Sequence, residues 1–387
     1  MATASVATSR IQVPADALST RLVSLDVFRG LTMAAMVVVN NPGDGGHVYW
    51  PLEHAAWDGW TPTDLIFPFF LFIVGVAITL SRKSAAWGTI LRRSALIVGI
   101  GWALALYPRF HFAQWRLPGV LPRIGVCYLA AAAIYKTTGG GAGDRLRQAV
   151  IFTTAAVALC VGYWFWMTHV PTPGGIVGDL TPDGNWGAYV DRAVFGTPHL
   201  WSVSKTWDPE GLLSTIPAVA TTLLGIVTGL WLRADASPER KTAGLLAAAA
   251  AGIAIGYAWN PYFPINKNLW TSSYVFFTAG AASLLLALCY WAIDVRGWRG
   301  WTKPFVILGT NAITLFAASA LLVKTLLSIT VGEVDGEPLS LWSFLYARGF
   351  EPFFDPYIAS LLFALANLAI LFVLLAWMYR RRLFLRV

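Results

Sequence analysis

The chain of 387 residues is 57% hydrophobic and only 12% charged, and it contains 19 tryptophans and 22 phenylalanines. So little polar surface excludes a soluble globular protein and favours an integral membrane protein. The net charge of +8 would suit nucleic-acid binding in a soluble chain. In a membrane protein the same excess is a topology signal, and we expect no nucleic-acid partner.

Ten windows of 17 to 25 mostly apolar residues are long enough to cross about 30 Å of hydrocarbon. They lie at residues 22–40, 62–81, 89–107, 118–136, 148–167, 211–232, 242–259, 271–293, 304–328 and 355–379. Short connections between them predict antiparallel neighbours in one bundle. The sequence therefore predicts an all-α polytopic membrane fold of about ten transmembrane helices, with residues 21–387 forming one domain.

Lysines and arginines are distributed unequally between the two sides of these windows. Nineteen fall in the tails and loops on the side of the termini, whereas six fall in the opposite, outer loops. Because positive residues concentrate on the cytoplasmic side, we expect both termini to be cytoplasmic. Residues 1–20 are polar and lack the apolar core of a signal peptide, and we interpret them as a disordered cytoplasmic tail.

The cysteines and histidines give no metal-binding pattern. Cys127, Cys160 and Cys289 fall inside separate predicted spans, which argues against a disulfide framework or a cysteine metal site. All five histidines fall in outer loops or at their edges, and no pair has the spacing of zinc ligands on a predicted helix. We expect no metal cofactor.

Four blocks of sequence resemble one known family. They are residues 21–81, RLPGVLPRIGVCY at 116–128, WDPEGLLSTIPAV at 207–219 and PINKNLWTSSYVFF at 264–277. In the same order, they resemble the catalytic core of the heparan-alpha-glucosaminide N-acetyltransferase family. The resemblance implies a membrane acyltransferase that uses acetyl-CoA.

His54 lies in HAAWDGWTPTDLIFPFF, the block in which this family places its catalytic histidine. An imidazole with an unperturbed pKa near 6.5 can take the proton of an acceptor or attack a thioester itself, and the sequence leaves both routes open. Asn40 matches the family's asparagine and is directly followed by Asn41. The Asn40 amide could donate to an oxyanion or orient His54, or it could simply cap the first helix.

Charged residues at the edge of hydrocarbon are further candidates, because they are costly there. Asp26 and Arg29 lie three apart near the cytoplasmic end of the first span, where they could pair with each other or bind the donor. Arg123 lies inside a predicted span. It could pair with Asp64 or contact the donor.

Two clusters lie at the outer ends of later spans. Asp208 and Glu210 begin the sixth span, where they could complement the helix dipole or bind the acceptor. The mouth of the eighth span carries three polar side chains and an aromatic ring, namely Asn266, Lys267, Asn268 and Trp270. Such a group suits sugar or thioester recognition, or an interfacial anchor.

Together these features predict an acetyl-CoA-dependent acyltransferase that modifies an amine or hydroxyl of a glucosamine-like sugar or envelope glycan. The expected partners are the bilayer, acetyl-CoA and the sugar acceptor, with a second copy of the chain as a further candidate. We expect a multi-pass protein of a bacterial inner membrane. The alternatives are a transporter of a sugar or lipid-linked sugar, and a membrane scaffold, which would leave the outer histidine and asparagines unexplained.

Overall fold

The computed structural model describes residues 22–81, 86–140, 143–334 and 336–385, so the predicted tail at 1–20 lies outside the described residues. The α-helices are α1 (Val23–Asn40), α2 (Ile66–Leu80), α3 (Trp87–Leu106), α4 (Val120–Thr137), α5 (Arg145–His169), α6 (Trp186–Phe195), α7 (Thr215–Leu232), α8 (Pro238–Trp259), α9 (Ser272–Cys289), α10 (Lys303–Thr310), α11 (Ala312–Ser328), α12 (Leu341–Gly349) and α13 (Pro356–Arg380). A π-helical turn, Tyr290–Val295, extends α9.

Short elements complete the described chain. The 3-10 turns are Trp50–Leu52, Pro62–Leu65, Phe112–Gln114 and Thr197–His199. One antiparallel hairpin pairs β1 (Thr330–Val334) with β2 (Glu337–Ser340), with a register irregularity between Thr330 and Gly332.

Eight described helices are long and apolar enough to cross a membrane, or nine if one bent pair counts as a single span. The predicted all-α polytopic membrane fold is therefore confirmed. Helices lie at all ten predicted windows. The helix α4, which carries Arg123 and Lys136, forms where it is predicted but is not among the apolar candidates.

The ninth predicted span is not one straight helix. It divides into α10 and α11, which meet at a bend of 79°. At the break, Asn311 has a non-helical backbone (φ −121°, ψ 43°). Its side chain donates to the Leu383 carbonyl and accepts from the Leu385 amide, both at 3.2 Å. Since asparagine competes with helical hydrogen bonds in this way, a hydropathy window could not reveal the bend.

The centre of the bundle is built on close contact between α2 and α7. A Cβ at Gly75 would lie 2.0 Å from the Thr222 carbonyl oxygen, and one at Gly225 would lie 2.2 Å from that of Phe72. In a bilayer, where apolar side chains gain little by leaving lipid, such backbone approach is a main source of helix association. The two helices therefore form the rigid middle of the molecule.

One end of the bundle, here called the loop face, holds the longer connections. These are residues 41–61, 107–119, 170–214, 260–271 and the described part of 329–355. The connections are joined to one another: the Gly59 amide donates to the Ile265 carbonyl at 2.7 Å, and the Leu117 amide donates to that of His199 at 3.0 Å. The loop face is thus the place where distant polar residues meet.

Candidate active site on the loop face

The site forms where the loop before α2 meets the loop before α9. Besides the Gly59 contact, the Asn266 side-chain amide donates to Asp58 at 3.1 Å. Gly59 has a φ of +97°, a conformation that glycine adopts without a steric penalty. These bonds fix residues 54–61 against residues 264–267.

At this junction His54 is hydrogen-bonded to Asp64. Its Nδ1 lies 2.7 Å from Asp64 Oδ1, and the His54 side chain is 51% exposed whereas that of Asp64 is 1% exposed. The other carboxylate oxygen accepts from the Ala55 and Thr61 amides, both at 3.0 Å, and from the Thr61 hydroxyl. Asp64 and Thr61 form a capping box at the start of the 3-10 turn Pro62–Leu65, which leads directly into α2; such boxes are common helix starts. The helix start therefore holds the carboxylate that orients His54.

Lys267 completes a three-residue cluster with His54 and Asp64. Its ammonium lies 3.0 Å from Nδ1 and 3.3 Å from Nε2 of His54, and 3.5 Å from Asp64 Oδ1. Because Nδ1 already shares its hydrogen with Asp64, Nε2 and the carboxylate are the acceptors open to this ammonium. Burial lowers the Lys267 pKa, although the Asp64 charge opposes the shift.

Residues behind the cluster support its carboxylate and its lysine. The Tyr274 hydroxyl, which is buried in α9, donates to the Asp64 backbone carbonyl. Asn266 also accepts from the Leu269 amide at 2.9 Å, which closes the turn that carries Lys267. Trp270 follows in the left-handed region, with a φ of +53°.

Trp270 and Arg123 lie in the core, below the cluster. The Trp270 side chain is fully buried, and its Nε1 donates to Thr221 at 3.1 Å. The Trp270 ring therefore does not line an open mouth in this conformation, unlike Lys267 and Asn268 of the same predicted group. Phe67 and Tyr274 contact its ring edge to face, which explains its burial.

Arg123 does not pair with Asp64, so that alternative from the sequence is wrong. Its Nη2 instead donates to the Gly211 carbonyl at 2.9 Å and to the Ser214 hydroxyl, and its guanidinium lies 5.1 Å from the centre of the Trp270 ring. Asp64 is already occupied by His54, Lys267 and backbone amides, which leaves it no orientation toward α4. Arg123 Nε and Nη1 are buried and make no hydrogen bond within the described residues.

Asp208 and Glu210 are both bound by Arg116, a residue that the sequence analysis did not single out. Arg116 donates to both oxygens of Asp208, at 2.8 and 2.6 Å, and to Glu210 at 2.5 Å. Burial opposes its charge, but the hydrogen bonds that Arg116 donates to Asp208 and the charge of Glu210 raise the Arg116 pKa above its ordinary value. The cation that Asp208 and Glu210 bind is thus a residue of the same chain. In the sequence, the signal for Arg116 was its position in the 116–128 block.

The two asparagines lie away from His54. Asn41 caps α1, and its buried side-chain amide donates to the Val37 carbonyl at 2.6 Å and to Ser319 at 3.1 Å. Asn40 is exposed and lines a cavity of about 180 Å³ beside Lys324. Within the described residues no hydrogen bond joins Asn40 to His54, so the role of orienting that ring falls to Asp64.

The remaining predicted residues are dispersed. Asp26 and Arg29 pair at 3.4 Å in α1, and Arg29 also donates to the Gly309 carbonyl. Asn268 is half-buried in the loop that carries Lys267. Among the described residues there is no group of three histidines, cysteines or carboxylates that could hold a metal ion.

Comparisons with known proteins show which family the chain resembles. The family described as "Heparan-alpha-glucosaminide N-acetyltransferase, catalytic" matches residues 21–256. The human heparan-alpha-glucosaminide N-acetyltransferase is 32% identical over 359 residues, which cover 78% of this chain and 53% of the human protein. The mouse protein of the same name is 31% identical over 361 residues, covering 78% of this chain and 54% of its own length. The chain thus spans about half the length of these curated relatives. It belongs to the heparan-alpha-glucosaminide N-acetyltransferase family.

Proposed function

We propose that this chain is a membrane acetyltransferase that moves an acetyl group from acetyl-CoA to the amine of a glucosamine-like sugar. The observation that carries the proposal is the cluster of His54, Asp64 and Lys267 on the loop face. A buried carboxylate, an oriented imidazole and a lysine are the groups that acyl transfer requires.

In this mechanism Asp64 holds the hydrogen of Nδ1, so that the lone pair of His54 lies on Nε2. As a base, Nε2 takes a proton from the acceptor nitrogen while that nitrogen attacks the thioester carbon, and it passes the proton to the leaving thiolate. As a carrier, Nε2 forms a bond to the acetyl carbon, the carbon–sulfur bond breaks, and the acceptor later displaces His54. Both routes use the same orientation.

In this proposal Lys267 interacts with the thioester oxygen rather than with the acceptor nitrogen. Negative charge develops on the thioester oxygen in either route, and an ammonium placed beside it stabilises that charge. In the described structure the Lys267 ammonium is 3.3 Å from Nε2. We infer that it moves from Nε2 to the thioester oxygen when the donor binds, which frees the histidine at the moment of reaction.

Donor and acceptor are proposed to approach from opposite sides. The cytoplasmic side, if the charge bias reports the topology, is the positive side and suits the phosphates of acetyl-CoA. Arg123 could donate its buried, unpartnered N–H groups to a donor carbonyl. The glucosaminide in the names of the human and mouse proteins is the basis for proposing an amino sugar. We also propose a bacterial inner membrane and, as one assembly, a homodimer.

A transporter of a sugar or lipid-linked sugar is the alternative from a different class. Polar residues inside the membrane would serve it equally well. An imidazole on a buried carboxylate would also serve a proton-coupled transporter. The family membership favours the enzyme.

The test is acetyl transfer by purified protein from radiolabelled acetyl-CoA to glucosamine. Base catalysis contributes roughly 10²- to 10⁴-fold, so we expect His54→Ala to lose at least about 10²-fold in turnover while its thermal stability stays close to that of the parent. His111→Ala, an exposed histidine on another loop, is the matched control and should keep its activity. A His54→Ala protein that keeps more than roughly a tenth of parental transfer would show that His54 is structural.

A further inference from the structure

A second imidazole–carboxylate pair lies on the same loop as His54. Nδ1 of His47 is 2.6 Å from Asp44 Oδ2. The hydrogen bond from His47, followed by that from the Gly46 amide, lowers the Asp44 pKa below its ordinary 3.8. Asp44 is therefore ionised at neutral pH and accepts the hydrogen of Nδ1, which leaves the lone pair of His47 on Nε2. Within the described residues Nε2 makes no hydrogen bond.

This pair is fixed in place by α13. The Asp44 amide donates to the Ser360 hydroxyl at 3.1 Å, and that hydroxyl donates back to the Asp44 carbonyl at 2.9 Å. The ring of Tyr357 contacts His47 edge to face, with 5.3 Å between centroids. The Asp44–His47 pair is held in a fixed geometry and is accessible to solvent, with the His47 side chain 44% exposed.

The charged surroundings of His47 are simple. Tyr357 from α13 is the titratable side chain in contact with its ring. From α12, Tyr346 has its pKa raised by burial and by the charge of Asp44. In the described part of the chain no lysine or arginine forms an ion pair with Asp44. Unlike His54, His47 has no lysine or arginine hydrogen-bonded to its ring within the part of the chain that the structure describes.

The proton balance of the proposed reaction calls for a second acceptor. An aliphatic amine is mostly protonated at neutral pH, and its nitrogen has no lone pair until one proton leaves. A second proton leaves the nitrogen as the amide forms. The thiolate takes up one of the two, through His54. The other has to be accepted before attack, when His54 is either committed to the thioester or reserved for the second proton.

We propose that His47, oriented by Asp44, accepts the first proton of the acceptor's ammonium group. This inference rests on the proposed function. The N–H bond of the ammonium breaks, an N–H bond forms at His47 Nε2, and the freed lone pair attacks the acetyl carbon. When the product leaves, His47 returns the proton to water. For this transfer the sugar nitrogen has to lie between the two histidines of the 41–61 loop.

The experiment compares two nitrogen nucleophiles across pH. Glucosamine is largely an ammonium ion at pH 6, whereas hydroxylamine is already neutral at pH 7. With glucosamine at pH 6, His47→Gln should lower kcat/KM by about 10²-fold, the lower bound for base catalysis. The ratio of parent to variant should shrink toward one by pH 9, because the amine is then neutral in water. With hydroxylamine at pH 7 the two proteins should react at similar rates.

Two further variants complete the test. Asp44→Asn removes the orienting carboxylate and should give a smaller deficit of about tenfold with the same dependence on pH and nucleophile. His111→Gln is the control and should match the parent. Equal deficits of His47→Gln for both nucleophiles, or no deficit for glucosamine at pH 6, would overturn the proposal. His54→Ala should lose transfer to both nucleophiles. Activity retained by the His54→Ala protein would instead contradict the proposed function.

Discussion

The two histidines of the 41–61 loop, His47 and His54, each bond an aspartate at almost the same distance but in different surroundings. Asp64 is 1% exposed, caps α2 and has Lys267 within 3.5 Å. Asp44 is 37% exposed and is held by His47 and Gly46. A hydrogen bond between an aspartate and a histidine therefore does not by itself determine the chemical role of the histidine. The buried carboxylate and neighbouring cation suit His54 to reaction at the thioester. The solvent exposure of His47 suits it to accepting a proton and releasing it to water.

The largest expected effect separates the two carboxylates. Asp64→Asn keeps the size of the side chain but can present an amide hydrogen to Nδ1 in place of an acceptor oxygen, which favours the wrong tautomer of His54. We expect turnover to fall by about 10³-fold, within the range for losing base catalysis. Asp44→Asn should lose only about tenfold with glucosamine at pH 6. The measurement is kcat for both variants, with thermal stability recorded alongside.

Equal losses of turnover in Asp64→Asn and Asp44→Asn would contradict the different roles proposed for His54 and His47. A fall in the stability of Asp64→Asn is expected, because Asp64 also accepts two backbone amides. Thr61→Val separates that effect, since it removes the hydroxyl bonds to Asp64 and to the Glu53 carbonyl but leaves the contact between Asp64 and His54 intact. It should destabilise without a comparable loss of turnover.

A second, smaller effect concerns the lysine that only one of the pairs possesses. Lys267→Met removes the group proposed to stabilise the oxyanion, and we expect a loss of about 10²- to 10³-fold in kcat. Because burial lowers the Lys267 pKa, parental activity should decline at a lower alkaline pH than an ordinary lysine would give. The variant should lack that decline.

The pH profile of kcat in the two proteins is the measurement. An alkaline decline that persists unchanged in Lys267→Met would mean that another group causes it. Lys267→Arg is the matched control, because it restores the charge at a different shape. It should recover part of the rate and move the decline to higher pH.

The smallest effect uses Asp191, a buried carboxylate on α6 that lacks a histidine or an ion-pair partner among the described residues. Burial raises its pKa from 3.8 to about 7, opposite in direction to Asp44. Since the folded pKa is raised, this group's stabilising contribution is present below pH 3.8 and is lost as pH rises through about 7. Asp191→Asn should remove this loss.

From pH 5 to pH 9 we therefore expect the stability difference to shift toward the variant by on the order of a few kcal/mol. Thermal unfolding in detergent at both pH values measures it. Asp191 accepts from the Leu212 amide at 2.8 Å, a bond that asparagine can retain. A constant difference across that pH range would mean that Asp191 is ionised throughout.

Sequence reasoning reached the helices more surely than the contacts between them. The windows located all ten helical positions because apolar length is a local property, but they missed the bend at Asn311, which depends on bonds to Leu383 and Leu385. The three-residue spacing of Asp44 and His47 is also local. By contrast, Lys267 reaches His54 across 213 residues.

The site residues show the same limit. His54 was singled out through its block, and its place on Asp64 follows from the capping box that begins α2. Arg116 was passed over because a loop arginine has no distinguishing pattern until Asp208 lies beside it, 92 residues away. Trp270 was grouped with the polar residues at the mouth of the eighth span because aromatic residues at a span end usually face the interface. Its burial depends on packing against Phe67 and Tyr274.

The glycine contact between α2 and α7 limits how this protein can open. The backbones of α2 and α7 are in contact at Gly75 and Gly225. We therefore expect α2, which follows Asp64, and α7, which follows Ser214, to move together as one rigid unit. A sugar that needs room at His54 cannot separate them. Any opening that admits a substrate at His54 has to leave this helix pair intact, because separating α2 from α7 would break their backbone contact.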